Sequence, residues 1–148
     1  MYFDDLPVGF SFETASRSLP LDEILEFANK WDPQPFHTDA EQAKDSIYGG
    51  LIASGFHTIL VAFLLTLETN VFTEASMGSP GMDKIRWYLP VRPGDTIRLK
   101  GTVLTSAISK SRPERGRTTF RYEVFNQNDE RVAKYSAIQL LRCKPQIE

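Results

Sequence analysis

The sequence predicts an α+β fold in which an antiparallel sheet curves around one long apolar helix. Three observations point to it. Residues 49–67 carry no charged side chain and place Ile59, Leu60, Phe63, Leu64 and Leu67 on more than one side of a helix, which predicts burial. After Ser79-Pro-Gly81 the period changes from helical to alternating, with Ile97, Leu99, Gly101 and Val103 interleaved with Arg98, Lys100 and Thr102. Alternation with polar partners implies a sheet with one buried face, and the apolar helix needs such a surface around it.

The elements follow in order. The opening segment reads as a loop with a short strand near Phe10–Thr14. Ile24, Phe27, Ala28 and Trp31 recur at helical spacing and define an amphipathic helix, which must end at Asp32 because Pro33 follows. Asp32-Pro-Gln-Pro-Phe-His37 reads as a loop stiffened by two prolines. Thr38-Asp-Ala-Glu41 then fits a capping box that starts a short helix from Asp39 to about Asp45. Gly49-Gly50 marks a turn, and the long helix should begin near Ser54 and Gly55. Ile85–Leu89, Ile97–Val103, Thr118–Asn126 and Val132–Arg142 are the expected strands, with Arg92-Pro-Gly-Asp95 and Gln127–Glu130 as turns.

The 148 residues suit a single domain spanning 1–148, and 41% hydrophobic with 24% charged residues is an ordinary globular mixture. The first residues carry two acids and no basic region, so a signal peptide is not expected. One cysteine, Cys143, excludes an intramolecular disulfide and fits a reducing, cytoplasmic setting. The uncharged stretch approaches membrane-spanning length, but its three glycines together with Ser54, His57, Thr58 and Thr66 favour a buried helix. The net charge of −2 hides an asymmetry. Residues 1–83 hold three Lys/Arg against thirteen Asp/Glu, and residues 84–121 hold ten against two. The basic segment suits an anionic small-molecule partner or merely solvated strand faces. The acidic half and the lack of any motif argue against nucleic acid.

Both histidines, His37 and His57, fall between the proline loop and the start of the long helix. The prolines can aim Asp32 and His37 at one point, and a carboxylate beside an imidazole can divide a proton transfer. Partial burial is expected to raise the Asp32 pKa while the pair holds each partner in the charged or hydrogen-bonded form. By spacing alone the two residues fit better as an Asp ending one helix and a His near the next helix cap, both common structural features. Gly49-Gly-Leu-Ile-Ala-Ser-Gly55 adds glycines that permit close approach of a ligand and first-turn amides at the positive end of a helix dipole. Such amides can polarise a carbonyl and stabilise an enolate.

The runs WDPQPFHTD (31–39), GGLIASGFHT (49–58) and LPVRPGDTI (89–97), with SRPERG (111–116) and FNQNDERV (125–132), resemble the MaoC-like (R)-specific enoyl-CoA hydratases over nearly the whole chain. The resemblance implies the hotdog fold, a helix wrapped by a sheet, and a homodimer, a dimer of dimers or a larger assembly. It implies Asp32 and His37 as the catalytic pair and the Gly55 amide, beside Ser54, as the oxyanion and substrate-binding element. The implied reaction adds water reversibly to a trans-2-enoyl-CoA to give a 3-hydroxyacyl-CoA. Coenzyme A would enter as part of the acyl-CoA substrate, with no separate cofactor and no metal, and Lys84, Arg86 and Arg112 are candidate contacts to its phosphates. Phe36, Phe56, Phe63, Trp87 and Tyr88 are candidates to shape the pocket. Some hydratases support the aspartate with a serine inside the buried helix; the matching turn here reads Ala62-Phe63-Leu64.

Three other readings stand beside this one. His37, Asp39 and His57 have the composition of a two-histidine, one-carboxylate iron site. A hotdog thioesterase would share the glycine-bounded helix, but such enzymes generally carry a carboxylate on it, and none lies between Gly55 and Leu67. A non-catalytic acyl-CoA-binding subunit would keep the fold without the chemistry.

Overall fold

The computed structural model describes residues 1–147. Its elements run as strand β1 (Ser11–Glu13), β2 (Arg17–Ser18), helix α1 (Leu21–Trp31), α2 (Pro35–Thr38), α3 (Ala40–Lys44), α4 (Gly55–Glu68), then β3 (Met82–Trp87), β4 (Thr96–Ile108), β5 (Arg115–Phe125) and β6 (Arg131–Arg142). A short 3-10 turn at Phe3–Asp5 precedes them. The strands are antiparallel in the order β1-β4-β5-β6-β3, and β2 pairs separately with β4. β3 therefore lies at an edge, with only β6 beside it.

The inner face of the sheet supplies Leu99, Val103, Phe120, Tyr122, Val124, Ala133 and Tyr135, and α4 lays Val61, Ala62 and Leu65 against this layer in one core. This is the hotdog architecture. β5 shows why the sequence folds so: its residues alternate between buried and half-buried along nearly its whole length, the period-two pattern of a strand covered on one side. Within the layer Phe120 stacks on Tyr122 at 5.7 Å, and Phe12 packs edge-on to both rings. Gly101 leaves the space into which the Phe12 ring settles.

Four expectations need correction. The loop between Asp32 and His37 is not loop throughout: Pro35 at the first helical position starts one turn, α2, and His37 sits on it. The helix after it is capped by Asp39, whose side chain accepts from the amides of Glu41 and Gln42, and not by Thr38, whose hydroxyl donates back to Gln34 O. The strand expected at 85–89 is Met82–Trp87, with a bulge that puts Lys84 at φ +56°. The sheet also covers only one side of α4. Phe56, Leu60, Phe63 and Leu64 remain 66%, 54%, 47% and 38% exposed, so the all-round apolarity of this helix is not satisfied within one chain. No helix among the described residues is long and apolar enough to cross a membrane.

Candidate active site

α1 ends at Asp32, which the following proline keeps out of helical geometry; its φ of −152° and ψ of 66° turn the chain towards α2. One turn later His37 is buried at 4% exposure. Its Nε2 lies 3.2 Å from Asp32 Oδ2, so the two residues expected to act together do meet. The other ring nitrogen, Nδ1, is 2.8 Å from the carbonyl of Ile52. A carbonyl can only accept, so Nδ1 carries the proton, and Nε2 is the nitrogen free to exchange one.

The segment that provides this carbonyl is itself fixed. Ile52 N donates to Phe36 O at 3.1 Å, and Ala53 N donates to Val91 O at 2.7 Å, which straps it between α2 and the strand-leading segment 89–91. Next comes Ser54, fully buried at the N-cap of α4. Its hydroxyl does not cap the helix. It donates to Asp32 Oδ2 at 2.7 Å, while Gln34 Nε2 donates to Oδ1 at 2.7 Å. Asp32 thus accepts two side-chain hydrogen bonds, with His37 Nε2 beside the oxygen that Ser54 also reaches. Burial opposes its ionisation, but the hydrogen bonds from Gln34 and Ser54 and the adjacent His37 outweigh burial and hold its pKa below the usual carboxylate value. This reverses the expected direction: Asp32 is kept as an anion, not pushed towards neutrality.

Asp32, His37 and Gly55 border one cavity of about 360 Å³. Gln34, Tyr48 and Thr58 add polar groups to its wall, and Phe36, Ile52, Phe56, Trp87, Tyr88, Leu89 and Val91 form the apolar part. Phe63 does not contribute to the wall; it stands on the exposed side of α4. Ser54 acts through Asp32 and does not itself line the cavity. Lys84, Arg86 and Arg112 also lie outside the wall: the first two on the edge strand β3, the third in the turn between β4 and β5. The iron-site arrangement does not form. Asp39 is occupied as the cap of α3, and His57 is turned to Glu23, with Nε2 3.2 Å from Oε1 and its ring stacked on Phe27.

One contributor was not named from the sequence, and another was named without its contact. Gln34 carries no local signal beyond lying two residues after Asp32. Trp87 was named only as a pocket-shaping aromatic, yet its Nε1 donates to Gly55 O at 3.0 Å, an interaction across 32 residues that no local pattern reveals.

An aspartate–histidine pair lies beside the mouth of a glycine-started helix, within a hotdog sheet. Residues 6–125 match the model of the MaoC like domain, and the chain belongs to that MaoC-like dehydratase family. The crystal structure of the MaoC-like dehydratase from Rhodospirillum rubrum is similar over 99% of both chains, with 35% identity and a TM-score of 0.92. The uncharacterized protein YdeM of Bacillus subtilis is 30% identical over 132 residues, covering 89% of this chain and 92% of that protein. R-hydratase PhaJ1 from Pseudomonas aeruginosa shares the fold at 22% identity, with a TM-score of 0.71 over 99% of this chain and 95% of that one.

Proposed function

We propose that the protein is an enoyl-CoA hydratase, adding water reversibly to a trans-2-enoyl-CoA to give a 3-hydroxyacyl-CoA. The observation that carries this reading is the convergence of Asp32, His37 and the start of α4 on one cavity. The Asp32/His37 pair holds a water molecule and takes a proton from it as its oxygen bonds to C3. The C2=C3 electron pair moves into the thioester carbonyl, whose developing negative charge meets the Gly55 N–H at the positive end of α4. The pair then delivers a proton to C2, which restores the carbonyl and leaves the 3-hydroxyacyl thioester. Because Nδ1 of His37 is tied to the Ile52 carbonyl, the exchange runs through Nε2, the nitrogen beside Asp32.

The CoA phosphates would lie outside the cavity, where Lys84, Arg86 and Arg112 are the proposed contacts. Lys84 and Arg86 stand on the same strand as the wall residue Trp87. The working unit is a homodimer. The apolar side of α4 that the sheet leaves open and the unpaired edge of β3 are surfaces a second copy would cover.

The test follows loss of enoyl-thioester absorbance with crotonyl-CoA and longer trans-2-enoyl-CoAs, with release of free thiol measured in parallel. Loss of absorbance without thiol release supports the hydratase. Thiol release from acyl-CoA without hydration overturns it in favour of a thioesterase. Binding of acyl-CoA with neither reaction favours a non-catalytic subunit. Light scattering tests the dimer, which requires a mass twice that of the chain.

A further inference from the structure

Trp87 stands at the end of β3, paired in register with Ala133 of β6, and its indole lies against the first residue of α4. A Cβ on Gly55 would sit 2.5 Å from the nearest indole carbon, so only glycine fits beneath the ring. The indole Nε1 donates to Gly55 O at 3.0 Å, and the Phe56 ring packs T-shaped against the indole with ring centroids 6.2 Å apart. The same ring forms part of the cavity wall.

These contacts bear on the amides at the helix mouth. Gly55 O belongs to the peptide group whose N–H is that of Phe56. Ser54 O, which accepts from Thr58 N at 3.1 Å and Thr58 Oγ1 at 3.5 Å, belongs to the peptide group whose N–H is that of Gly55. Both carbonyls are thus engaged from behind. A hydrogen bond to a peptide oxygen polarises the group and strengthens its N–H as a donor. The Trp87 bond also holds the first turn against fraying, since the N–H groups there have no partner within the helix.

We infer that Trp87 is a positioning residue for the thioester-binding amides: it fixes the first turn of α4 against the cavity and sharpens the Phe56 N–H as a second donor beside that of Gly55. The inference rests on the hydratase reading. It goes further in assigning the work of the oxyanion site to two amides and in naming the side chain that aligns them.

Trp87→Phe keeps an aromatic plate and removes the N–H. The variant is expected to lose about tenfold in kcat on crotonyl-CoA, the equivalent of one hydrogen bond, while KM changes by less than about twofold. A general packing defect would raise KM and lower stability instead. A kcat within about twofold of the parent overturns the inference. A second measurement needs no turnover. In a Trp31→Phe background Trp87 is the only tryptophan, and adding Gly55→Ala should drive the indole off the helix and shift its fluorescence emission to longer wavelength. Unchanged emission overturns the inference. A parent chain that hydrates no enoyl-CoA would sink the hydratase reading, and the emission comparison would then decide the Trp87 contact by itself.

Discussion

The Ser54 hydroxyl donates to Asp32 Oδ2, the same carboxylate oxygen that lies 3.2 Å from His37 Nε2. A residue at the mouth of α4 and a residue on α2 thereby meet at one oxygen of the residue that ends α1. The serine that the interior of α4 lacks, where Ala62-Phe63-Leu64 stands, is replaced in effect by the one at its N-cap.

Ser54→Ala removes one of the donors that keep Asp32 ionised, and Gln34→Ala removes the larger of the two hydrogen-bond contributions. Both variants should move the acid limb of the kcat/KM profile to higher pH, because a carboxylate stripped of donors holds its proton more tightly. Ser54→Ala should also lower kcat by about tenfold, since a charge-assisted hydrogen bond is lost. An unmoved acid limb in both variants would contradict the role given to these donors.

Asp32 also links stability to acid. Its folded pKa lies below the value near 4 that it has in an unfolded chain, so in that window the unfolded state binds more protons. Its contribution is complete above the unfolded value and is lost as pH falls through the folded one. Asp32→Asn removes that contribution, and its Tm should fall less steeply than that of the parent below about pH 4. Parallel Tm curves down to pH 2.5 would refute the assignment.

Gly101→Ala places a methyl group where the Phe12 ring sits against β4. The ring must leave its edge-on contacts with Phe120 and Tyr122. A loss of about 1–3 kcal/mol in denaturant unfolding is expected, the usual cost of overpacking, with the Asp32/His37 site unaffected.

Most of the architecture was legible because its signals are local. The alternation in β4 to β6, the Trp31-Asp32-Pro33 helix end and the glycine before α4 each depend on a few neighbouring residues. β2 has two residues, too few to show a period. α2 was hidden because its four residues sit between prolines and a cap, and Thr38 and Asp39 are both competent caps. Asp32 and His37 were found because five residues and two prolines bring them together. The state of Asp32 was misjudged because Ser54, twenty-two residues away, reaches it only through the tertiary fold. The bare side of α4 was misread for a related reason: apolarity tells that a surface is to be covered, not whether its own chain covers it.

The pair itself offers the most direct measurement. Hydration of crotonyl-CoA is to be compared among the parent, Asp32→Asn, His37→Ala and the double variant, with circular dichroism and gel filtration confirming the fold. Each single variant should lose about a thousandfold in kcat/KM, and the double variant little more, because two groups that act as a unit are not additive. Either single variant within about tenfold of the parent would contradict the account.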